Sequence, residues 1–445
     1  MGFIGGVRQE EFVRQLRGKD PDRLLAVPID VGKHSAAALV CDFWGGLVVE
    51  PFTFSLDEPG FNVFRAAVAE AEAERDAQLV RVGLEQAGHY HRTLEAKLRS
   101  DGLEVVVFNP SQVAGNRAQD PLRTLKSDVR DLGAMAELLI RRRGWLSKEL
   151  DVHLVEQRAL AAHRRRKRRA RAVLKAQIQS TLDLVFPTLS TCLSDPLDTK
   201  LGRLVLTEGL DPGRVRRLGG QRLREYCLRR GVMVSRAKAH ELVEAGRNAL
   251  LLPPDVAKVH AGVLRQDVDL LARLDGEIAK VEEAMADVLA HTPAAILLSL
   301  PRVRTVRASM YGAALGDPSR FSSAAQVYRF SGLVPRLYES AGRSRSGGIS
   351  REGKVELREA ICELGKALRQ GVPDFGAYAA ALTARGKPSG IVACALGHRA
   401  NRLAFALIRD QKPFSEARWN SGRARHGRSS RSTNVRRHPS ASGQR

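Results

Sequence analysis

Up to about Asn109 the apolar residues of this chain come in short runs closed by Gly, Pro, Asn or Asp, and beyond Trp145 they recur mainly at helical spacing. The first pattern predicts strands at Leu24-Leu25-Ala26-Val27-Pro28-Ile29-Asp30, from Ser35 to Cys41 and from Leu47 to Phe54, with Trp44-Gly45-Gly46 turning between the last two. That is an antiparallel meander. A helix from Phe61 to Ala73, a buried strand from Gln78 to Glu85, a helix from His89 to Arg99, a strand from Leu103 to Asn109 and a helix from Ser127 to Arg142 follow. Three hairpin strands followed by alternating helices and parallel strands predict an α/β domain with a mixed sheet and helical cover.

From Trp145 to about Ala290 the chain is helical and strongly charged. Leu271, Leu274, Ile278, Val281, Met285 and Val288 alternate spacings of three and four, the seam of a coiled coil, with Leu150 to Val185 as its antiparallel partner. Pro187, Pro196, Gly219-Gly220 and Pro253-Pro254 break the region between into an insert of short helices. A mostly helical C-terminal domain resumes at His291. Its expected elements are a helix through Gly312 to Asp317, another from Phe321 to Phe330, a Gly/Ser/Arg loop from Glu339 to Gly348, and helices at Val355 to Leu368, Phe375 to Arg385 and Ser389 to Ile408. The organisation read from these patterns is a polar extension over 1–22, an α/β domain over 23–145, a coiled-coil basic segment with insert over 146–290, a C-terminal domain over 291–411 and a disordered basic tail over 412–445.

Charge narrows the partner. Lys plus Arg number 72 against 49 Asp plus Glu, a formal net charge of +23, so nucleic acid is the expected partner. The excess is clustered in Arg164-Arg165-Arg166-Lys167-Arg168-Arg169 with Arg171, in the region from Arg214 to Arg230, and in the tail. Arg165, Arg166, Lys167 and Arg168 are therefore read as phosphate contacts rather than only a solvated helix face. Aromatic residues make up 5%, so phosphate contact is expected to dominate over base stacking. Five cysteines without a C-x-x-C pair predict neither a zinc site nor a disulfide framework and fit a reducing cytoplasm, with nucleoid association following from the charge. Arg8, Glu10 and Glu11 interrupt any signal-peptide core, and no membrane is expected among the partners.

The candidate chemistry lies in carboxylates. Asp128 and Asp131 open a predicted helix, and residues three apart share a helix face with Cβ atoms about 5–6 Å apart, although the helix dipole alone favours such pairs. Glu85 ends a parallel strand and Asp30 ends the first strand, where ligands of open α/β sheets sit. Four carboxylates from three elements could thus meet at one sheet edge and hold two Mg²⁺, or Mn²⁺, about 3.5–4 Å apart against a phosphodiester. Lys33, next to His34, and Lys126 flank these carboxylates and are candidate phosphate contacts, as are Arg343, Arg345 and Arg351 around the C-terminal serines. His89 and His91 follow Glu85 and are read as structural before they are read as ligands.

These motifs together resemble the DEDD-type insertion-sequence transposases, also called bridge recombinases, which join an N-terminal RNase H/RuvC-like domain to a C-terminal serine-bearing transposase domain. The likeness is carried by Ile29-Asp30-Val31-Gly32-Lys33-His34, Gly83-Leu84-Glu85, Asn109-Pro110, Lys126-Ser127-Asp128-Val129-Arg130-Asp131, Gly316-Asp317 with Arg320-Phe321, Gly332-Leu333-Val334-Pro335, Ser340, and Ile349-Ser350-Arg351-Glu352-Gly353-Lys354. The resemblance implies that Asp30, Glu85, Asp128 and Asp131 form the metal-binding tetrad and that Ser340 is the nucleophile that links covalently to DNA. It also implies a homo-oligomer, a dimer or tetramer in which domains of different protomers complete one active site, and guidance by a structured non-coding RNA.

Two departures stand out. Where the family often has Pro-Gly-x-Gly, this chain has Pro301-Arg302-Val303-Arg304, so the loss of glycine's backbone freedom is expected to transfer any phosphate contact to arginine side chains. The usual Ser-Gly is Ser340-Ala341-Gly342 here, which leaves Ser344 and Ser346 as rivals. The competing readings are a RuvC-like structure-selective endonuclease, which needs no serine, and a non-catalytic nucleic-acid-binding remnant.

Overall fold

A computed structural model describes residues 18–86, 88–118, 128–149, 151–340, 343–416 and 419, with only the backbone described at 128, 337–340 and 343–346. Most of the polar extension and the tail, with Lys126, therefore lie outside the described residues. The chain divides into two compact units, Met1–Asp151 and Val152–Arg445.

The first unit is built on a six-stranded sheet in the order β3-β2-β1-β4-β5-β6, with β1 Leu24–Val31, β2 Ser35–Asp42, β3 Leu47–Ser55, β4 Leu79–Glu85, β5 Glu104–Phe108 and β6 Trp145–Leu146. β1 pairs antiparallel with β2 and parallel with β4, and β4 pairs parallel with β5. β1 is apolar through Leu24 to Ile29 because both of its faces are covered. Leu25, Val27 and Ile29 join a core with Phe61, Phe64 and Val68 of helix α1 (Glu58–Glu74) and Leu94 and Leu98 of α2 (His91–Ser100). Leu24 and Ala26, pointing the other way, pack with Leu132, Met135 and Leu139 of a later helix, Asp128–Ile140. That helix seats closely because Gly83 on β4 has no side chain: a Cβ there would lie 2.7 Å from the Phe108 ring and 3.0 Å from Leu139.

Arg81 lies on the same face of β4, with a side chain 0% exposed. Its guanidinium is paired with Glu104 of β5 at 3.0 and 3.1 Å. Burial pulls its pKa below the ordinary value and Glu104 opposes that shift.

One helix of this unit is not predicted by apolar periodicity: α3, Pro110–Arg117, which precedes α4, Asp128–Ile140. Only Val113 of α3 is buried, so burial leaves almost no pattern. Its signal is local, in Pro110 at the first turn and the reciprocal cap between Asn109 and Gln112.

In the second unit, α5 (Val152–Val185) and the later α9 (Pro254–Ala290) run antiparallel, as the pairings Arg164–Glu282, Lys167–Glu277 and Arg171–Asp275 require. Between them lie α6 (Lys200–Thr207), α7 (Pro212–Leu228) and α8 (Arg236–Asn248), with a core of their own that continues into both long helices. The C-terminal core gathers α10 (Thr305–Leu315), α11 (Ala324–Phe330), α12 (Val355–Gly371), α13 (Pro373–Ala384) and α14 (Ser389–Asp410). α12 and α14 cross with their backbones nearly touching: a Cβ on Gly365 would meet the Gly397 nitrogen at 2.9 Å. α14 is the one helix among the described residues long and apolar enough to cross a membrane, yet 56% of its apolar window is buried inside this core.

The segment expected to be a Gly/Ser/Arg loop from Glu339 to Gly348 is instead part of a hairpin, β7 Pro335–Ser340 with β8 Arg343–Ile349. Its ladder of backbone hydrogen bonds does not depend on the apolar alternation by which strands are recognised in sequence.

His398 of α14 lies half-buried, 4.8 Å edge-on from the Tyr328 ring. Burial, with Arg402 and Arg399 nearby, lowers its pKa from the ordinary value. The unfolded chain therefore takes up a proton near pH 6.5 that the folded chain refuses until lower pH, so this contribution destabilises as pH falls through about 6.5. Urea midpoints between pH 8 and 5.5 should fall less for His398→Phe than for the parent chain; an unchanged slope would remove His398 from the acid response.

Candidate functional site

Asp30 and Glu85 follow the register pair Ile29–Leu84 at the carboxyl ends of β1 and β4. Alternation assigns them to the α4 face, the face of Ala26, Arg81 and Gly83. Neighbouring parallel strands are about 4.8 Å apart, so the two positions are adjacent on one edge. Both are half-buried. Lys33 is exposed in the turn just beyond, where Gly32 N–H donates to Ser35 O at 2.9 Å.

α4 brings its first turn toward the same edge. Leu139 lies against Gly83, and Arg142 comes near Arg81, two residues back along β4, so α4 runs antiparallel to the strand. Eight residues of helix back from Leu139 cover about 12 Å, whereas Gly83 to Glu85 covers about 7 Å. Asp131 therefore comes level with the strand ends or slightly past them. It is 6% exposed, and its carboxylate is paired with Arg117, the last residue of α3. Asn116 fixes the same helix end by donating to Ala134 O and Glu137 Oε2, both at 3.1 Å. The side chain of Asp128 lies outside the described residues.

The oxygen donors Asp30, Glu85 and Asp131 suit a hard divalent cation. Among the described residues, however, no three acidic, histidine or cysteine side chains are gathered closely enough to hold one. Arg117 occupies the Asp131 carboxylate, a partner that sequence reading missed because α3 itself was not predicted. Of the two histidines after Glu85, His91 is buried with Nε2 3.7 Å from Glu95, a structural setting, and His89 is exposed.

In the C-terminal unit, the register of the β7–β8 hairpin pairs Ser340 with Arg343, Glu339 with Ser344, Tyr338 with Arg345 and Leu337 with Ser346. Opposite residues of an antiparallel pair share a face and successive residues alternate. Positions 338, 340, 343 and 345 thus belong to one face, and 337, 339, 344 and 346 to the other. Arg351 follows β8, exposed, with its N–H bonded to Gly332 O at 3.0 Å.

In Pro301-Arg302-Val303-Arg304, where any phosphate contact is expected to pass to arginine side chains, one residue has the backbone conformation that favours glycine. Arg302 has φ of 63°, in the left-handed region. The turn keeps this conformation without glycine.

The basic run on α5 divides by partner. Arg165 donates to both oxygens of Glu359, at 3.0 and 2.9 Å, and to Glu356 at 3.1 Å. Lys167 faces Glu277 at 3.7 Å, and Arg164 and Arg171 pair with Glu282 and Asp275. Arg166, Arg168 and Arg169 are exposed. Part of the run therefore ties α5 to α9 and α12, and part faces solvent.

A carboxylate-bearing sheet edge thus lies in one unit and a serine–arginine hairpin in the other. A DEDD-type transposase family model matches residues 27–187, and one described as the transposase IS116/IS110/IS902 family matches 294–380. The chain belongs to this IS110-type family. It is similar to the transposase for insertion sequence element IS1328 of Yersinia enterocolitica, 29% identical over 176 residues, covering 37% of this chain and 49% of that protein. It is also similar to an insertion element IS110 43.6 kDa protein of Streptomyces coelicolor, 23% identical over 246 residues, covering 55% and 60%. A third is the pilin gene-inverting protein of Moraxella bovis, 25% identical over 155 residues, covering 34% and 48%. The chain spans about half the length of the curated relatives it matches.

Arg117→Ala should lower stability by about 1–3 kcal/mol in urea unfolding, because it strips a buried carboxylate of its cation. An unchanged midpoint would mean that the Asp131 carboxylate is satisfied without Arg117.

Proposed function

We propose that the chain is a DNA transposase, or recombinase, that cuts and rejoins the DNA of an insertion sequence. The observation that carries the reading is the placement of Asp30 and Glu85 at adjacent strand ends on the face covered by α4, with Asp131 level with them. This supports an RNase H/RuvC-like reading of the first unit, and the antiparallel α5–α9 pair supports a coiled-coil reading of the middle.

In this reading Asp30, Glu85, Asp128 and Asp131 would hold Mg²⁺ or Mn²⁺, once Asp131 exchanges Arg117 for the ion. When bound, such ions neutralise phosphate charge and favour loss of the attacking hydroxyl's proton. Ser340 is the nucleophile. Its Oγ bonds to phosphorus as the bond from phosphorus to a deoxyribose oxygen breaks; the serine proton is released and the departing oxygen gains one. A second deoxyribose hydroxyl then attacks the phosphoserine and regenerates Ser340, so that no hydrolysis is needed between cutting and joining. Arg343 and Arg345, at positions on the hairpin face of Ser340, are assigned to the phosphate, with Arg351 beside them. Ser344 and Ser346 occupy the opposite face, which favours Ser340.

Lys33 and Lys126 are assigned to DNA near the carboxylates. On α5, Arg166 and Arg168 are better suited to phosphate than Arg165 and Lys167, whose charges already have carboxylate partners. A structured non-coding RNA as guide, assembly as a dimer or tetramer, and action in the bacterial cytoplasm at the nucleoid complete the proposal.

The test is covalent trapping. With DNA spanning an element end and Mg²⁺, the parent chain should give a denaturant-resistant protein–DNA adduct that Ser340→Ala abolishes and Ser344→Ala retains. Asp131→Asn should lower adduct formation by at least about 100-fold, the scale on which an electrostatic catalytic group acts. Cleavage that persists undiminished in Ser340→Ala would instead identify a RuvC-like endonuclease. Binding without cleavage in any variant or metal would identify a remnant.

A further inference from the structure

We propose that residues 187–250, the helical insert between α5 and α9, form a separate surface for the phosphate backbone of double-stranded DNA, with Arg216, Arg217, Arg229 and Arg236 as its contacts. The proposal rests on the reading of the chain as a DNA-processing protein, but not on the carboxylates or on Ser340.

The insert carries twelve Lys and Arg against seven Asp and Glu, and the structure separates the basic residues that build it from those that do not. Arg203 donates to Leu197 O at 2.7 Å and Arg224 to Val234 O at 3.1 Å. Arg214 donates to Glu208 O at 2.7 Å and to the Tyr226 hydroxyl at 3.0 Å. Arg230 pairs with Glu208 at 3.0 Å while stacking 3.8 Å from the Tyr226 ring centre. These four are structural.

The acidic residues are likewise committed. Glu208 is held by Arg230 and Tyr226, Asp211 caps α7, Glu241 pairs with Lys238 and Glu244 with Arg247. Asp195 and Asp198 face Lys175 of α5, and Glu225 accepts from Gln221. By contrast Arg216, Arg217, Arg229 and Arg236 are exposed, and their guanidinium groups enter no hydrogen bond or ion pair among the described residues. Every carboxylate of the insert has a partner, and four guanidinium groups have none. The charge excess is therefore displayed outward rather than neutralised within the fold.

The arginines are also held on a defined frame. Within α7, Gly219 breaks the helix with φ of 65° and ψ of 171°. Arg222 spans the break, donating to Arg217 O and Leu218 O at 3.1 Å each, which ties the turn bearing Arg216 and Arg217 to the half-helix that leads to Arg229. Seven residues later α8 starts at a Ser235 cap, its hydroxyl accepting from Lys238 N at 3.1 Å, with Arg236 and His240 exposed on its first turns.

Two features select the partner. The only aromatic residue of the insert, Tyr226, is 8% exposed, so the surface has no platform for unstacked bases and single strands are disfavoured. An exposed helix start flanked by arginines fits the major groove of B-form DNA, about 12 Å wide, whereas the A-form groove of an RNA duplex is too narrow to admit it.

The experiment measures binding of the full chain to a duplex DNA of about 30 bp and to an RNA hairpin, by fluorescence anisotropy across a KCl series. Replacing Arg216, Arg217, Arg229 and Arg236 together by Gln should reduce the slope of log affinity against log salt for the duplex by about 3 to 4, at about 0.9 per phosphate contact. Duplex affinity near physiological salt should fall at least tenfold, and hairpin affinity should change less than twofold. The double variant Arg216→Glu with Arg236→Glu, which alters only exposed positions, should show the same direction if the quadruple variant folds poorly. An unchanged duplex slope in a folded variant overturns the proposal, as does an equal or greater loss on the RNA hairpin. A parent chain whose duplex binding is insensitive to salt overturns the DNA-processing reading itself.

Discussion

Burial of β1 on both faces is the constraint from which the first unit follows. A strand covered above by α1 and below by α4 can carry no charge along its length without a large desolvation penalty, and residues 24–29 are accordingly all apolar or proline. Acidic chemistry is possible only where the strand emerges, and Asp30 stands there. β4 obeys the same rule with one exception, Arg81, which is tolerated because Glu104 on the neighbouring strand supplies the opposite charge in hydrogen-bonding geometry. Glu85 occupies the equivalent exit. Asp30 and Glu85 are thus set at one edge by the burial pattern of the sheet, and the glycine at position 83 lets α4 pack closely against the same face.

The strands and long helices were legible because each buries a continuous stripe or face, which periodicity reports directly. The antiparallel meander of β1 to β3 and the parallel direction of β4 and β5 follow from the same signal together with the short meander turns, whereas the placing of β4 beside β1 is seen only in the structure. α3 was not legible, since it buries a single valine, and with it Arg117 was missed. The β7–β8 hairpin was read as a loop because its residues are polar and glycine-rich, and its ladder is a property of the backbone. At Arg302 the chain holds a left-handed conformation that sequence reading did not address, because neighbouring structure rather than residue type imposes it. At the candidate site, the sheet-edge positions of Asp30 and Glu85 were readable, whereas the present partner of Asp131 depended on an element with almost no apolar signature.

The basic composition, read as a whole, also concealed a division of labour. On α5 the guanidinium of Arg165 forks onto Glu359, and in the insert Arg214 and Arg230 enclose Tyr226 and Glu208; these charges are fold-forming. The partners of Arg165 lie on a helix far along the chain, which no local window can display, whereas Arg214 and Arg230 find theirs within the insert. Composition therefore sets how much positive charge the chain carries, while the acidic residues decide which part of it faces outward.

The hairpin register decides how this segment can vary. Two residues separate Ser340 from Arg343, and strand positions alternate faces with a period of two. Because opposite residues of an antiparallel pair share a face whatever the length of the connection, the face common to positions 338, 340, 343 and 345 outlasts any change in the number of residues between 340 and 343. It is lost only when the pairing slips by one, so the constraint on this segment falls on its register rather than on its length or residue type.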